Sequence, residues 1–297
     1  MRCFVFPNWQ SASKIRYIVG LLCLSIFLFS CSKADIPEEP TIAPPNTSVH
    51  LTMGNPSGAT MDISYPFNYL MVKPQYALSY HRDKGTPNWV SWHLDKSWIG
   101  STPRQDDFRS DVSLPSGWYR VQATDYSNSG FDRGHNAPSA DRTKTVEDNA
   151  ATFLMTNMIP QAPENNQQTW ANLESYCRRL AQEGNELYII MGNYGTGGTG
   201  SLGFKTTIAN DKVTVPSRIW KVIVILPQGE DDAARVTLTT RVITVDTANN
   251  SNISSSWGTY RTSVDAIESA TGYNLLSNVT EGIQGVIESK IDNGPTN

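Results

Sequence analysis

Cysteine is scarce in this 297-residue chain: only Cys3, Cys23, Cys31 and Cys177 occur. That is too few for a fold stapled by disulfides. There is no Gly-x-Ser-x-Gly, which excludes the usual serine-hydrolase elbow. The absence of His-Glu-x-x-His and Cys-x-x-Cys leaves no zinc pattern. The glycines between Asn193 and Gly203 lack the contiguous Gly-Lys-Ser/Thr that closes a phosphate-binding loop, because Phe204 separates Gly203 from Lys205-Thr206. No internal repeat is present. Positive charge is also short, with 24 Lys and Arg against 28 Asp and Glu, a net of −4. The chain is therefore no general coat for nucleic acid, and any attraction to phosphate has to be local.

Long apolar runs are missing too. Ile18 to Phe29 is twelve residues, short of the ~20 that a spanning helix needs. Lys14 and Arg16 precede it, and Leu28-Phe29-Ser30-Cys31 closes it. A basic flank, a short apolar core and a small residue before the cut describe an export signal over residues 1–30. Cys31 in that position resembles the lipidated cysteine of bacterial lipoproteins. The expectation is an exported, membrane-anchored lipoprotein of the bacterial cell envelope, periplasmic or surface-exposed. Cleavage removes Arg2, Lys14 and Arg16, so 21 basic residues face 28 acidic ones, a net of −7. Cys3 and Cys23 leave as well, and with Cys31 acylated no intramolecular disulfide is expected. Residues 31–48 hold Pro37, Pro40, Pro44 and Pro45 and almost nothing apolar, the composition of a tether.

From 49 to 293 no strong boundary is visible, and the pattern predicts one α+β domain with a central antiparallel or mixed sheet. Short aromatic or β-branched runs predict strands at Tyr76–Tyr80, Asn88–Leu94, Trp118–Ala123, Ala151–Met155, Leu187–Met191, Ile219–Leu226 and Val236–Ile243. Ile219–Leu226 is nearly all apolar and should be an interior strand. Gln167 to Glu183 reads as a helix with Trp170, Leu173, Cys177 and Leu180 on its buried stripe and Gly184 as its stop. Cys177 reads as core filler. Asn193–Gly203 reads as a mobile loop, and Val264–Ala270 and Val279–Ile291 as short helices.

The chemistry concentrates in three stretches. Asp132-Arg133-Gly134-His135 sits within Ser129–Pro138, Thr156-Asn157-Met158-Ile159-Pro160-Gln161 follows, and then Asn166-Gln167-Gln168-Thr169-Trp170-Ala171-Asn172-Leu173-Glu174. Upstream lies Arg104-Gln105-Asp106-Asp107-Phe108-Arg109-Ser110-Asp111. Histidine is the side chain whose ordinary pKa suits proton abstraction near neutrality. Of four histidines only His135 lies in such a cluster. Together these stretches resemble the active-site signature of the DNA/RNA non-specific endonucleases, a family with a ββα-metal core. The resemblance spans most of residues 50–290, with its specific motifs between Arg104 and Arg178.

The resemblance implies a Mg²⁺-dependent endonuclease, with Mn²⁺ as a substitute, that hydrolyses DNA or RNA without sugar specificity. His135 would be the general base. Asn166 would be the single protein ligand to the ion, with the adjacent Asn165 as a competitor. Glu174 lies eight residues further, a rise of ~12 Å along a helix, so it would act indirectly, through solvent around the ion or by organising neighbours. Arg104, Arg133 and Arg178 would meet phosphate, guanidinium being planar and permanently charged. The bland reading pairs these arginines with Asp132 or Asp111, and Glu174 with Arg178 one turn on. Asp132 and Asn157 would support the pocket. The partners implied are a nucleic acid substrate and a membrane through the lipid anchor, with no obligate protein partner evident. The alternative is a catalytically weak nuclease-fold lipoprotein that binds extracellular nucleic acid.

Overall fold

The computed structural model describes residues 48–297, which fall within one compact unit. The export signal of residues 1–30, Cys31 and nearly all of the tether lie outside the described residues. No helix among the described residues is long and apolar enough to cross a membrane.

In chain order the strands are β1 (Tyr69–Val72), β2 (Ala77–His81), β3 (Thr86–Leu94), β4 (Asp132–His135), β5 (Met158–Gln161), β6 (Asn185–Tyr194), β7 (Gly198–Gly200), β8 (Gly203–Lys205), β9 (Thr207–Ile208), β10 (Val213–Thr214), β11 (Arg218–Pro227) and β12 (Arg241–Ala248). The α-helices are α1 (Val146–Ala151), α2 (Ala171–Gln182), α3 (Asp232–Arg235), α4 (Val264–Thr271) and α5 (Glu281–Ile287). Six strands form the central sheet in the order β1-β2-β3-β6-β11-β12, every pair antiparallel. The mixed α+β class and central antiparallel sheet match expectation.

Both faces of this sheet are covered, so its inner strands are buried on both sides and largely apolar rather than alternating. On one face Val90, Trp92, Ile189, Met191, Ile219, Ile223 and Val245 pack against Trp170, Leu173 and Cys177 of the helical segment that ends in α2. On the other, Trp89, Ile190, Trp220, Val222 and Val224 pack against Val264 and Ile267 of α4 and Ile287 of α5. Because side chains alternate along a strand, Lys221 shares the α2 side of β11 with Ile219 and Ile223. Its side chain is 1% exposed. Cys177 is a free, buried thiol, as its place on the apolar stripe predicts. Gly184 at φ +96° ends the helix, a backbone shape open to glycine.

Several predicted elements differ. Trp118–Ala123 is not a strand. Gly117 at φ +82° precedes it, and Trp118 instead covers the sheet edge, 5.2 Å from Tyr69 and 6.5 Å from Tyr80 between ring centroids. Ala151–Met155 is the end of α1 followed by a 3-10 turn, Met155–Asn157. The overlooked start signal was Thr145, whose hydroxyl caps the Asp148 N–H at 3.1 Å. In Val236–Ile243 the first half is a threonine-rich turn, closed by Thr237 N–H on Thr240 Oγ1 at 2.8 Å, and the strand starts only at Arg241. Asn193–Gly203 is not a loose loop: β6 runs on to Tyr194, and β7 and β8 form a ribbon. The expected second terminal helix contracts to Glu281–Ile287.

Candidate active site

The hairpin of β4 and β5 leads into the helix that ends in α2, giving a ββα unit. Asp132 faces Gln161 and His135 faces Met158 in the hairpin register. Gly134 is required where the strands cross closest, since a Cβ there would lie 2.3 Å from Gln161 Oε1 and 2.6 Å from its Cβ. The helical segment opens with a π turn, Asn165–Trp170, a form concentrated at functional sites. Its wider turn sends Asn165 and Asn166 to different surroundings. Asn165 is fully buried. Its Nδ2 donates to Thr247 Oγ1 and the Ala248 carbonyl, both at 2.9 Å, and its Oδ1 accepts from Gln161 at 2.8 Å. Asn166 Nδ2 donates to Asp132 Oδ2 at 2.8 Å, joined there by Gln167 Nε2 at 2.9 Å. With its nitrogen held by Asp132, Asn166 keeps its carbonyl end uncommitted.

Asn166, Asp132, Arg133, Arg104, Asp106, Phe108 and Phe131 line one cleft of about 320 Å³. His135 stands behind that lining. Its ring packs edge-on against Phe108 and Phe153, with centroids 5.5 and 5.0 Å away. The same two rings carry the arginines: Arg133 lies 4.1 Å over Phe108 and Arg104 4.8 Å over Phe153. Arg104 also binds Asp106 at 2.6 Å and Ser139 Oγ at 2.6 Å. Two aromatic rings thus hold one imidazole and two guanidinium groups in fixed relation.

His135 Nε2 is buried without a hydrogen-bond partner, while the nearby Arg133 backbone favours a proton on the ring. Burial first, then the positive charges of Arg104 and Arg133, pull its pKa down to about 3. The imidazole is neutral at physiological pH. Asn157 is fully buried beside this region. Its Nδ2 donates to the carbonyls of Ala137 and Thr152 at 2.9 Å, and its Oδ1 accepts from the Ala137 N–H at 3.0 Å.

Glu174 and Arg178 are in a second group. Glu174 Oε1 accepts from Lys221 Nζ at 2.7 Å, and burial raises its pKa against the pull of Lys221. The ammonium lies over Trp170 and Trp92, 5.0 and 5.7 Å from their centroids. Arg178 pairs with buried Asp141 at 3.0 Å, not with Glu174, and Asp141 also accepts from Trp92 Nε1 at 3.0 Å. The 3-10 turn Ser139–Asp141 joins the two groups, with Ser139 on Arg104 and Asp141 on Arg178. Neither Asp111 nor Asp132 takes an arginine. Asp111 is held by Lys73 at 2.8 Å and Thr156 at 2.7 Å.

Lys221 and Asp141 were not singled out from the sequence. The one available hint was a single lysine inside an apolar interior strand, since such a charge has to find a buried partner.

A family model for DNA/RNA non-specific endonucleases matches residues 57–282. A nuclease of Nostoc sp. is 52% identical over 276 residues, 93% of this chain and 98% of that protein. Human mitochondrial nuclease EXOG is 34% identical over 154 residues, covering 50% of this chain and 42% of its own length. A crystal structure of an EndoG/EndoGI complex matches with a TM-score of 0.63 at 24% identity, over 81% of this chain and 95% of that one. It shares the fold. The chain belongs to the DNA/RNA non-specific endonuclease family and is a phosphodiester-cleaving nuclease.

Proposed function

We propose that the protein is a divalent-metal-dependent endonuclease of broad specificity in which His135 is the general base. The observation that carries this reading is the unpartnered, neutral Nε2 of His135 behind a cleft lined by Arg104 and Arg133. Arg104 and Arg133 offer a phosphodiester local positive charge where the whole chain does not. A phosphate between the arginines offsets the charges that depress the His135 pKa and so makes Nε2 a stronger base when substrate is present. Nε2 then takes a proton from a water attacking phosphorus in line, the P–O3′ bond breaks, the departing O3′ takes a proton from solvent, and the products carry 5′-phosphate and 3′-hydroxyl ends. No element presents side chains for base edges, so contact with backbone phosphate accounts for low specificity.

The donor set fits Mg²⁺, with Mn²⁺ as substitute. Asn166 offers one neutral oxygen from a fixed amide, and Mg²⁺ keeps most of its waters and takes few protein ligands. When bound, the ion supplies positive charge to the phosphoryl and leaving oxygens. Asp132 orients Asn166, and Glu174, held by Lys221, organises the helix and its surroundings. Arg178 acts through Asp141 on the turn that positions Arg104.

Export and anchoring through Cys31 complete the proposal, on the strength of the basic flank, the short apolar run and the Leu28–Cys31 stretch. Under this reading residues 1–30 are removed, the chain to 48 is a tether, and 49–293 is the nuclease domain. Incubating supercoiled plasmid with the protein and Mg²⁺, then with chelator, tests the enzyme. Nicking and linearisation that stop with chelator are expected, and retention of the plasmid without cleavage would favour a binding-only lipoprotein. Fatty-acid labelling of the wild type and Cys31→Ser tests the anchor, and an unlabelled wild type rules it out.

A further inference from the structure

On the sheet face opposite α2, three carboxylates converge without a cation. Asp265 and Glu268 lie one turn apart on α4, and Glu288 follows the last residue of α5. Each offers an oxygen within 4.8 Å of the others. None forms a salt bridge with any described residue; the only protein donor to the group is the Leu275 N–H, 2.7 Å from Glu268 Oε1. The backbone also brings them together, with Asp265 N–H donating to the Glu288 carbonyl at 3.1 Å.

Glu288 sets this cluster apart from an ordinary acidic patch. The residue is 6% exposed, and its Oε1 is buried with no hydrogen-bond partner. A buried carboxylate oxygen of this kind is unfavourable unless a proton or a cation satisfies it. Its neighbours add like charge. Burial, then Glu268 and Asp265, push the Glu288 pKa up to about 7, and burial and Asp265 raise that of Glu268.

We infer that Asp265, Glu268 and Glu288 form a calcium site, separate from the catalytic cleft, that clamps α4 to the end of α5. The ligand class follows from the donors. All are hard carboxylate oxygens, which excludes metals that select nitrogen or sulfur. Three carboxylates in an irregular set suit Ca²⁺, whereas Mg²⁺ takes one or two and holds its waters. The site is structural. Val264, Ile267 and Ile287 beside it belong to the core beneath this face, so fixing the two helix segments fixes that core. Glu288 lies beyond residues 57–282 matched by the family model, whereas Asp265 and Glu268 lie within them.

Thermal melting of the chelator-treated full chain in detergent tests this. Ca²⁺ should raise the Tm of the wild type with half-saturation at about 10⁻⁴–10⁻³ M, the range of extracellular calcium modules. Asn166→Ala should keep that rise, since it alters only the cleft. Glu288→Gln should lose it while Mg²⁺-supported plasmid cleavage stays at the wild-type rate. If Glu288→Gln fails to fold, the exposed Asp265→Asn carries the same expectation. A wild-type Tm that ignores Ca²⁺ but climbs as pH falls to 6 overturns the site in favour of a proton shared among the carboxylates. A Ca²⁺ response that survives in Glu288→Gln and vanishes in Asn166→Ala also overturns it, because the ion would then sit in the cleft.

Discussion

Lys221 Nζ lies 2.7 Å from Glu174 Oε1, one charge from the middle of the sheet meeting one from the helix packed upon it. The pair is nearly sealed, with Lys221 1% and Glu174 18% exposed. Removing one member strands the other. Lys221→Met should cost about 3–5 kcal/mol of unfolding free energy. Combining it with Glu174→Gln should recover part of that loss, since no bare charge remains. Denaturant unfolding of the two single variants and the double variant measures the coupling. Equal and additive losses would show that the two groups do not depend on each other.

Asn165 and Asn166 are neighbours with opposite expectations. Asn166→Ala should abolish most cleavage and raise the Mg²⁺ requirement, with little loss of stability, because its one recorded bond is to partly exposed Asp132. Asn165→Ala removes three buried hydrogen bonds and should cost roughly 1–3 kcal/mol or more, while the metal requirement of the folded enzyme stays near wild type. A metal titration beside a denaturation curve separates them. The reverse ranking in the titration would move the ligand to Asn165.

Salt dependence should distinguish the arginines. The chain, at −4, gains nothing from long-range attraction, so binding depends on a few contacts. Affinity of a His135→Ala protein for duplex DNA should fall with a log–log slope of roughly −2 to −4, for about two to four phosphates. Arg104→Ala should flatten it by up to about one unit and weaken all sequences alike. Arg178→Ala should leave the slope nearly unchanged and cost stability instead, since it is occupied by Asp141. A salt-independent affinity, or strong preference for one sequence, contradicts the account.

The family of this chain was more legible than the detail of its secondary structure. Asp132, Arg133, His135, Asn157 and Asn166 were readable because the ββα unit is continuous in sequence, and the fold keeps them together. The ladder of β2, β3, β6 and β11 was readable from apolar runs long enough to fill buried strands. Trp118 and Phe153 misled because aromatic residues that cover an edge or support His135 look in sequence like strand residues. The division of Arg104 and His135 from Glu174 and Arg178 was invisible. It depends on Asp141 and Lys221, which lie 37 and 47 residues in sequence from their partners Arg178 and Glu174. Only the strand parity of β11 places Lys221 on the correct face.

The pH dependence follows from the direction of the His135 shift. As the proposed general base, His135 would work unprotonated. In free enzyme its pKa is about 3, so protonation of His135 removes activity only near that pH, and kcat/KM should show no acid limb at the ordinary histidine value near 6.5. With substrate bound, phosphate charge raises the pKa, so the acid limb of kcat should lie at higher pH than that of kcat/KM. Arg104→Ala removes a charge that disfavours the protonated ring, and should shift the kcat/KM limb upward. Two pH–rate profiles on a short duplex decide it. Coincident limbs near 6.5 would mean that His135 is solvated and unperturbed.

The most direct test of the central claim is the single-turnover cleavage rate of His135→Ala with saturating Mg²⁺ and plasmid DNA. Loss of a general base lowers the rate by about 10²–10⁴, and the account predicts a fall in that range with DNA affinity and unfolding midpoint close to wild type. A variant that binds DNA, folds normally and still cleaves at nearly the wild-type rate would contradict it, and the base would have to be sought elsewhere in the cleft.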